Sequence, residues 1–206
     1  MAEGVKNGKI YYNIANVYYR LNDIGRAIVN YRRAERYLPD DPNLGRNLAS
    51  ALAKRQDRIE EKQGEKVVKT LFFWHYDLSF GQRAFLFGTF YLGLWCFAVI
   101  RLVTPRPFTG WGLALSFLLA GLFLGSLMTD RLLAPEKTGG VLVASEVVAR
   151  KGDGESYQPS FQEPLHAGTE FTLKENRNQW LQIELPDGRL CWVPAWSAEL
   201  IVPGSG

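Results

Sequence analysis

The chain has 206 residues, is 47% hydrophobic and carries a formal net charge of +3, which excludes a disordered or fibrous protein and leaves room for one or two ordinary domains. Its 2 cysteines, Cys96 and Cys191, cannot build a disulfide framework, and its 2 widely separated histidines argue against a histidine metal site or a Ser-His-Asp triad. Charge is unevenly spread: residues 1–83 sum to +5, residues 84–133 to +2 and residues 134–206 to −4. No part has the dense basic patch of a nucleic-acid binder, and no nucleophile–base pair, phosphate loop or metal cluster is visible, so no catalytic residue, metal or cofactor is expected.

Residues 1–66 predict a helical hairpin followed by a capping helix. Ile14 and Ala15 form a large–small pair, with Tyr18 one turn on. Asn22 and Asp23 make a turn, Ala27, Tyr31 and Ala34 share one face of a second helix, and Pro39 ends it. Small side chains at 15, 27 and 34 let two helices cross closely, and the tyrosines at 18 and 31 fill the space beside them. Over residues 8–41 this pattern resembles a tetratricopeptide repeat (TPR), with Tyr11 at the usual tryptophan and Asn22 at the usual turn glycine. A third helix is expected from Pro42 to about Lys62, with Leu44, Leu48, Ala51 and Leu52 as its apolar stripe. One repeat and a cap bury little surface, and residues 1–7 read as the tail of an earlier helix. The expectation is an N-terminally truncated chain; the alternative is a true start at Met1, with the first span carrying the N-terminus across.

The TPR resemblance implies a concave groove lined by Lys9, Tyr12, Asn16, Tyr19 and Arg20, and by Arg46, Asn47 and Ser50 from the cap. Asn16 stands where carboxylate-gripping repeats place asparagine. Asparagine with arginine would hold a peptide C-terminus by charge-assisted hydrogen bonds.

Residues 67–83 hold Trp74, His75 and Tyr76, amphipathic aromatics that fit a membrane interface, with Leu71–Phe80 lying along the surface. His75 is read as an interfacial residue rather than a pH sensor. Residues 84–133 then predict a membrane hairpin. Ala84–Ile100 is 17 residues without charge, lengthened by Phe80, Leu102 and Val103, and Pro107–Thr129 is 23 more. About 20 apolar helical residues cross a bilayer, and a soluble chain of this size could not easily wrap two helices that are apolar all round. The short turn at 104–109 makes the helices antiparallel and puts both soluble ends on one side. Arg101 and Arg106 in the turn place it in the cytoplasm by the positive-inside rule. Gly112, Ser116 and Ala120, with Gly121 and Gly125 beside them, read either as a packing seam, within the hairpin or between copies, or as the ordinary glycine content of membrane helices.

After a linker at 134–139, residues 140–202 predict a small β barrel, followed by a tail at 203–206. Leu181, Ile183 and Leu185 alternate onto one face, and Pro186–Arg189 is a hairpin turn. Val147–Gly152, Trp180–Leu185 and Cys191–Pro194 before Glu199–Ile201 resemble the bacterial SH3-type (SH3b) domain, although that family usually has glycine at Cys191. The resemblance implies peptide binding, with Tyr157, Trp180, Trp192 and Trp196 as an aromatic ligand face; Trp180 and Trp192 read equally well as core. His166 falls in a loop with no expected role.

The order TPR, membrane hairpin, SH3b, with the run Phe72–Leu78 before the first span, resembles the BatE-like proteins of the bacterial aerotolerance operon. That resemblance implies a multi-pass inner-membrane protein with periplasmic N- and C-terminal parts, working beside von Willebrand-type membrane proteins and a MoxR-type ATPase. The expected function is a membrane-anchored adaptor whose groove and SH3b domain each hold a peptide or protein. The alternative is a cell-wall sensor or hydrolase-targeting subunit whose SH3b domain binds peptidoglycan.

Overall fold

The computed structural model describes residues 7–60, 62–104, 106–132 and 139–201. They fall into two compact units, one made of residues 1–63 with 137–206 and the other of residues 64–136.

The first unit opens with α1 (Gly8–Arg20), α2 (Ile24–Glu35) and α3 (Pro42–Ala53). Side chains of Asn7, Asp23 and Asp41 cap the three N-termini, and Pro42 occupies the first turn of α3, where its missing N–H costs nothing. Asn22 turns the chain between α1 and α2 at φ 60°, a left-handed conformation that asparagine tolerates better than most residues. Ala15, Ala27, Tyr31 and Ala34 are buried with Leu44, Leu48 and Ala51 in one core. Tyr18 packs against that core; Ile14 does not, and is exposed. Pro39 is exposed at the turn before α3.

The third helix is shorter than expected, ending at Ala53 with Lys54 as its cap. Residues 55–60 and Lys62 are instead drawn along the C-terminal sheet as a strap. Arg55 pairs with Glu170 at 3.3 Å, Ile59 packs on the sheet's core, and Lys62 donates its backbone N–H to the Pro186 carbonyl at 3.2 Å. These long-range partners outcompete helical hydrogen bonds in a stretch with no apolar stripe of its own.

The C-terminal residues form β1 (Gly139–Leu142), β2 (Glu146–Val147), β3 (Leu165–His166), β4 (Glu170–Arg177), β5 (Trp180–Glu184), β6 (Leu190–Pro194), a 3₁₀ turn at Ala195–Ser197 and β7 (Ala198–Leu200). Five strands form one sheet in the order β6-β5-β4-β1-β7, while β2 and β3 pair separately; every pairing is antiparallel. Leu181, Ile183 and Leu185 are all buried, as the alternation requires. The expected linker at 134–139 lies outside the described residues except for Gly139, which starts β1, and the tail at 203–206 lies outside them entirely.

Helices and sheet in this unit share a core, because Val141 of β1 is buried with α1–α3. A row of ion pairs surrounds the contact. Arg32 of α2 bonds Glu170 at 2.7 Å, Arg26 meets Glu199 at 3.3 Å, and Arg33 donates to the Leu200 carbonyl at 2.7 Å. Burial works against the charge on Arg32, but Glu170 and Glu35 outweigh it and raise the guanidinium's pKa further.

In the second unit, α4 (Gln63–Leu71) and α5 (Phe73–Tyr76) precede α6 (Phe80–Val103) and α7 (Pro107–Leu132). The last two are long and apolar enough to cross a membrane, reaching mean hydropathies of 1.8 and 1.9 over 18-residue stretches within Phe80–Val103 and Pro107–Thr129. A capping box starts α6: Ser79 Oγ accepts from the Gln82 N–H, and Gln82 Oε1 accepts from the Ser79 N–H.

The small residues of α7 divide in two. A Cβ on Gly112 would lie 2.6 Å from the Phe97 ring, and Ser116 and Ala120 are buried. Gly121 and Gly125 have open space where a side chain would go. Gly112→Ile is therefore expected to push Phe97 aside and loosen the α6–α7 pair, while Gly121→Ile leaves it intact. Cysteine cross-linking of α6 to α7 in micelles reads the difference; equal yields for the two variants would remove Gly112 from the seam.

Candidate functional site

The residues expected to line a groove lie on α1 and α3. Tyr31, buried beneath them, donates its hydroxyl to Asn16 Oδ1 at 2.7 Å. Burial pushes that phenol up to about 12, so it remains a donor. Asn47 Nδ2 donates to Asn16 Oδ1 at 3.0 Å and to the Tyr12 hydroxyl at 2.9 Å. One network thus ties Tyr12, Asn16, Tyr31 and Asn47 together across α1, α2 and α3.

Its polarity follows from the inventory of each side chain. With Asn16 Oδ1 accepting twice, that residue can offer a ligand only its NH₂. The Tyr12 oxygen accepts from Asn47, so its hydrogen is free to donate outward. Lys54 sits over the Tyr19 ring, 4.3 Å from the centroid. The sequences of α1 and α3 contain no acid, only Lys9, Arg20 and Arg46. Lys9 and Arg20 are exposed. Arg46 is turned back on its own helix, bonding the Pro42 carbonyl and Asn43, and Ser50 bonds the Arg46 carbonyl. The face therefore presents oriented donors in a cationic field, which suits a carboxylate.

The four aromatics expected as a ligand face are dispersed in burial. Trp196 is 72% exposed and Tyr157 49%, and Trp180 is half-buried. Trp192 is only 7% exposed, so of its two readings, ligand face or core, the buried one describes its burial. Register explains it. Trp192 lies opposite Gln182, on the sheet face away from Leu181 and Ile183. On that face the Arg177 guanidinium lies 5.4 Å from its ring centroid, while along the strand the Trp192 backbone exchanges hydrogen bonds with the Arg150 backbone at 2.8 Å in both directions. Cys191 faces the core instead, and burial pushes its thiol up to about 12.

Sequence reasoning missed a densely bonded acid in the unit. Asp57, on the strap, accepts from the His166 N–H at 2.7 Å, from His166 Nδ1 at 2.7 Å and from the Thr169 hydroxyl at 2.6 Å. Burial alone would raise the Asp57 pKa, but the bonds from Thr169 and His166 outweigh it and hold the carboxyl below the usual aspartate range. A carboxylate can only accept, so Nδ1 carries the proton, and Nε2 then meets Gln56 Nε2 at 2.9 Å. His166 is thus a strut on a strand, with its Nδ1 committed to Asp57. Nothing local could have revealed a partner 109 residues away. Among the described residues no cluster of three or more His, Cys, Asp or Glu side chains is arranged to hold a metal ion.

Comparison with family models, with curated proteins and with solved structures finds no match to this chain.

Proposed function

We propose that the chain is a membrane-anchored adaptor that holds the carboxyl end or an acidic segment of a partner protein against α1 and α3. The observation that carries this reading is the Tyr12–Asn47–Asn16–Tyr31 network, which leaves donors and no acceptors on Asn16 in a face lacking acids. In this reading α1–α3 are a TPR-type repeat with its cap, and the C-terminal sheet is an SH3b-type domain offering Tyr157 and Trp196 to a second ligand. The helices α6 and α7 cross a bacterial inner membrane, with the other unit in the periplasm. The partners belong to a BatE-like aerotolerance assembly of von Willebrand-type proteins and a MoxR-type ATPase. Supporting the hairpin topology, residues 7–60 and 139–201 belong to one compact unit, so any membrane crossing between them must be made an even number of times.

The test is peptide binding to the full chain in nanodiscs. Peptides with a free C-terminus are expected to bind, and the same peptides amidated to bind about tenfold more weakly, a typical cost of losing one charge-assisted hydrogen bond. Asn16→Asp keeps an acceptor for Tyr31 but replaces the donor with a negative charge, and is expected to abolish binding with the far-UV spectrum unchanged. Equal affinity for acid and amide, or full binding by N16D, would remove the carboxylate reading.

A further inference from the structure

The segment before the first long apolar helix carries exposed apolar side chains that the adaptor reading does not use. Val67, Val68, Leu71, Phe72, Phe73 and Tyr76 are all exposed, and so is Phe80 at the start of α6. In the compact helix–sheet unit, by contrast, most large apolar side chains of the sheet point into its core. The segment is not a straight extension of α6, because the Ser79 capping box begins that helix anew.

The segment is also held in place. His75 Nδ1 lies 2.8 Å from Ser126 Oγ on α7, and Arg83 Nη1 lies 2.9 Å from the same ring nitrogen. Arg83 also donates to Ser126 Oγ at 3.0 Å and is itself buried. Since arginine can only donate, His75 Nδ1 serves there as an acceptor. This polar node fixes α5 against the hairpin through His75. Phe72, Phe73 and Tyr76, around His75 on the same turn, are left facing outward, with Trp74 packed against both phenylalanines at 5.4 Å.

We propose that residues 67–76 are an in-plane membrane anchor, seating their apolar face at the headgroup–acyl boundary of a phospholipid bilayer. The occupant is argued from continuity along the chain: exposed apolar side chains run from this segment through Phe80 directly into α6, where Phe85 and Leu92 are exposed as well. A surface continuous with lipid-facing residues meets the same solvent. Tryptophan, tyrosine and histidine beside valine, leucine and phenylalanine suit the zone where acyl chains give way to headgroups. The anchor fixes the depth and tilt of α6 and sets where the chain leaves the membrane. The proposal rests on the reading of α6 and α7 as membrane spans.

The test is spin-label accessibility of the full chain reconstituted in phosphatidylcholine–phosphatidylglycerol vesicles. In a Cys96→Ser background, single labels are placed by Val68→Cys, Leu71→Cys, Phe73→Cys and Tyr76→Cys; Phe85→Cys reports a span and Leu190→Cys reports water. The expected result is that the four test labels favour oxygen over a water-soluble nickel chelate, as Phe85→Cys does, with Leu190→Cys showing the reverse. If the four are open to nickel while Phe85→Cys is not, the anchor is wrong and the spans stand. If Phe85→Cys is also open to nickel, the span reading fails and the anchor with it. If the four resist both reagents and broaden each other's spectra between copies, a second chain covers this face and the lipid anchor is overturned.

Discussion

Asp57→Asn is expected to lower the stability of the helix–sheet unit by roughly 3 kcal/mol at neutral pH, from the loss of charge-assisted bonds worth about 1.5–3 kcal/mol each. The carboxylate accepts three hydrogen bonds, and an amide of the same shape offers one oxygen and turns an NH₂ toward the donors that are left. The predicted shift in thermal midpoint is about 10 °C downward for a unit of this size. Wild type should also lose this advantage in acid. The folded-state pKa of Asp57 lies below its unfolded value, so its contribution is fully present above an ordinary aspartate pKa of about 3.9. It fades as pH falls through the lower, folded value, because the unfolded chain takes up the proton first. The variant has no such proton to bind, and its acid limb should be flatter, with the two proteins converging at low pH. Urea unfolding of the full chain in micelles, followed by tryptophan fluorescence from pH 3 to 7, measures both effects. Parallel acid limbs would show that Asp57 is not the group responsible.

Gly25→Ala reverses the usual sign of a helix substitution. In an open helix, replacing glycine by alanine gains about 1 kcal/mol. Here the new Cβ would lie 2.6 Å from the Leu142 carbonyl oxygen and 2.9 Å from Val143 Cα, both backbone atoms. Neither can swing away. β1 is held between β4 and β7, and the Leu142 carbonyl already accepts the Gly168 N–H at 2.8 Å. The helix must therefore lift from the sheet, stretching the Arg26–Glu199 and Arg32–Glu170 pairs, at an expected net cost of about 2 kcal/mol. Gly45 in α3 provides the control, since nothing lies within 4 Å of its would-be Cβ, and Gly45→Ala should stabilise the protein. Opposite signs for the two substitutions would establish that α2 and the sheet unfold together. A gain from both would mean that the helices and sheet separate in solution.

Much of the secondary structure was legible along the chain. Small residues at 15, 27 and 34, capped at Asp23 and Asp41, mark helices because backbone capping and close crossing are local demands. Alternation at 181, 183 and 185 marks a strand for the same reason. The groove was legible as a set of positions on α1 and α3, but its hydrogen-bond polarity was not. That polarity depends on Tyr31 reaching Asn16 from another helix. The expected helix to Lys62 failed because Arg55 and Lys62 find their partners on the sheet rather than within their own turns.

The sequence by itself determined the two long apolar helices, the helical start, the stranded end and the aromatic segment between 67 and 80, since periodicity and hydropathy are written residue by residue. Only the tertiary structure decided that the first and last thirds form one unit and that Trp192 is buried, with the Arg177 guanidinium over its ring. It also decided that His166 belongs to Asp57 and that Gly112 rather than Gly121 faces α6. Each of these depends on side chains brought together across up to 173 positions, as with Arg26 and Glu199, and on which face a neighbouring element covers. Local pattern records that a face is apolar or charged; packing alone chooses what lies against it.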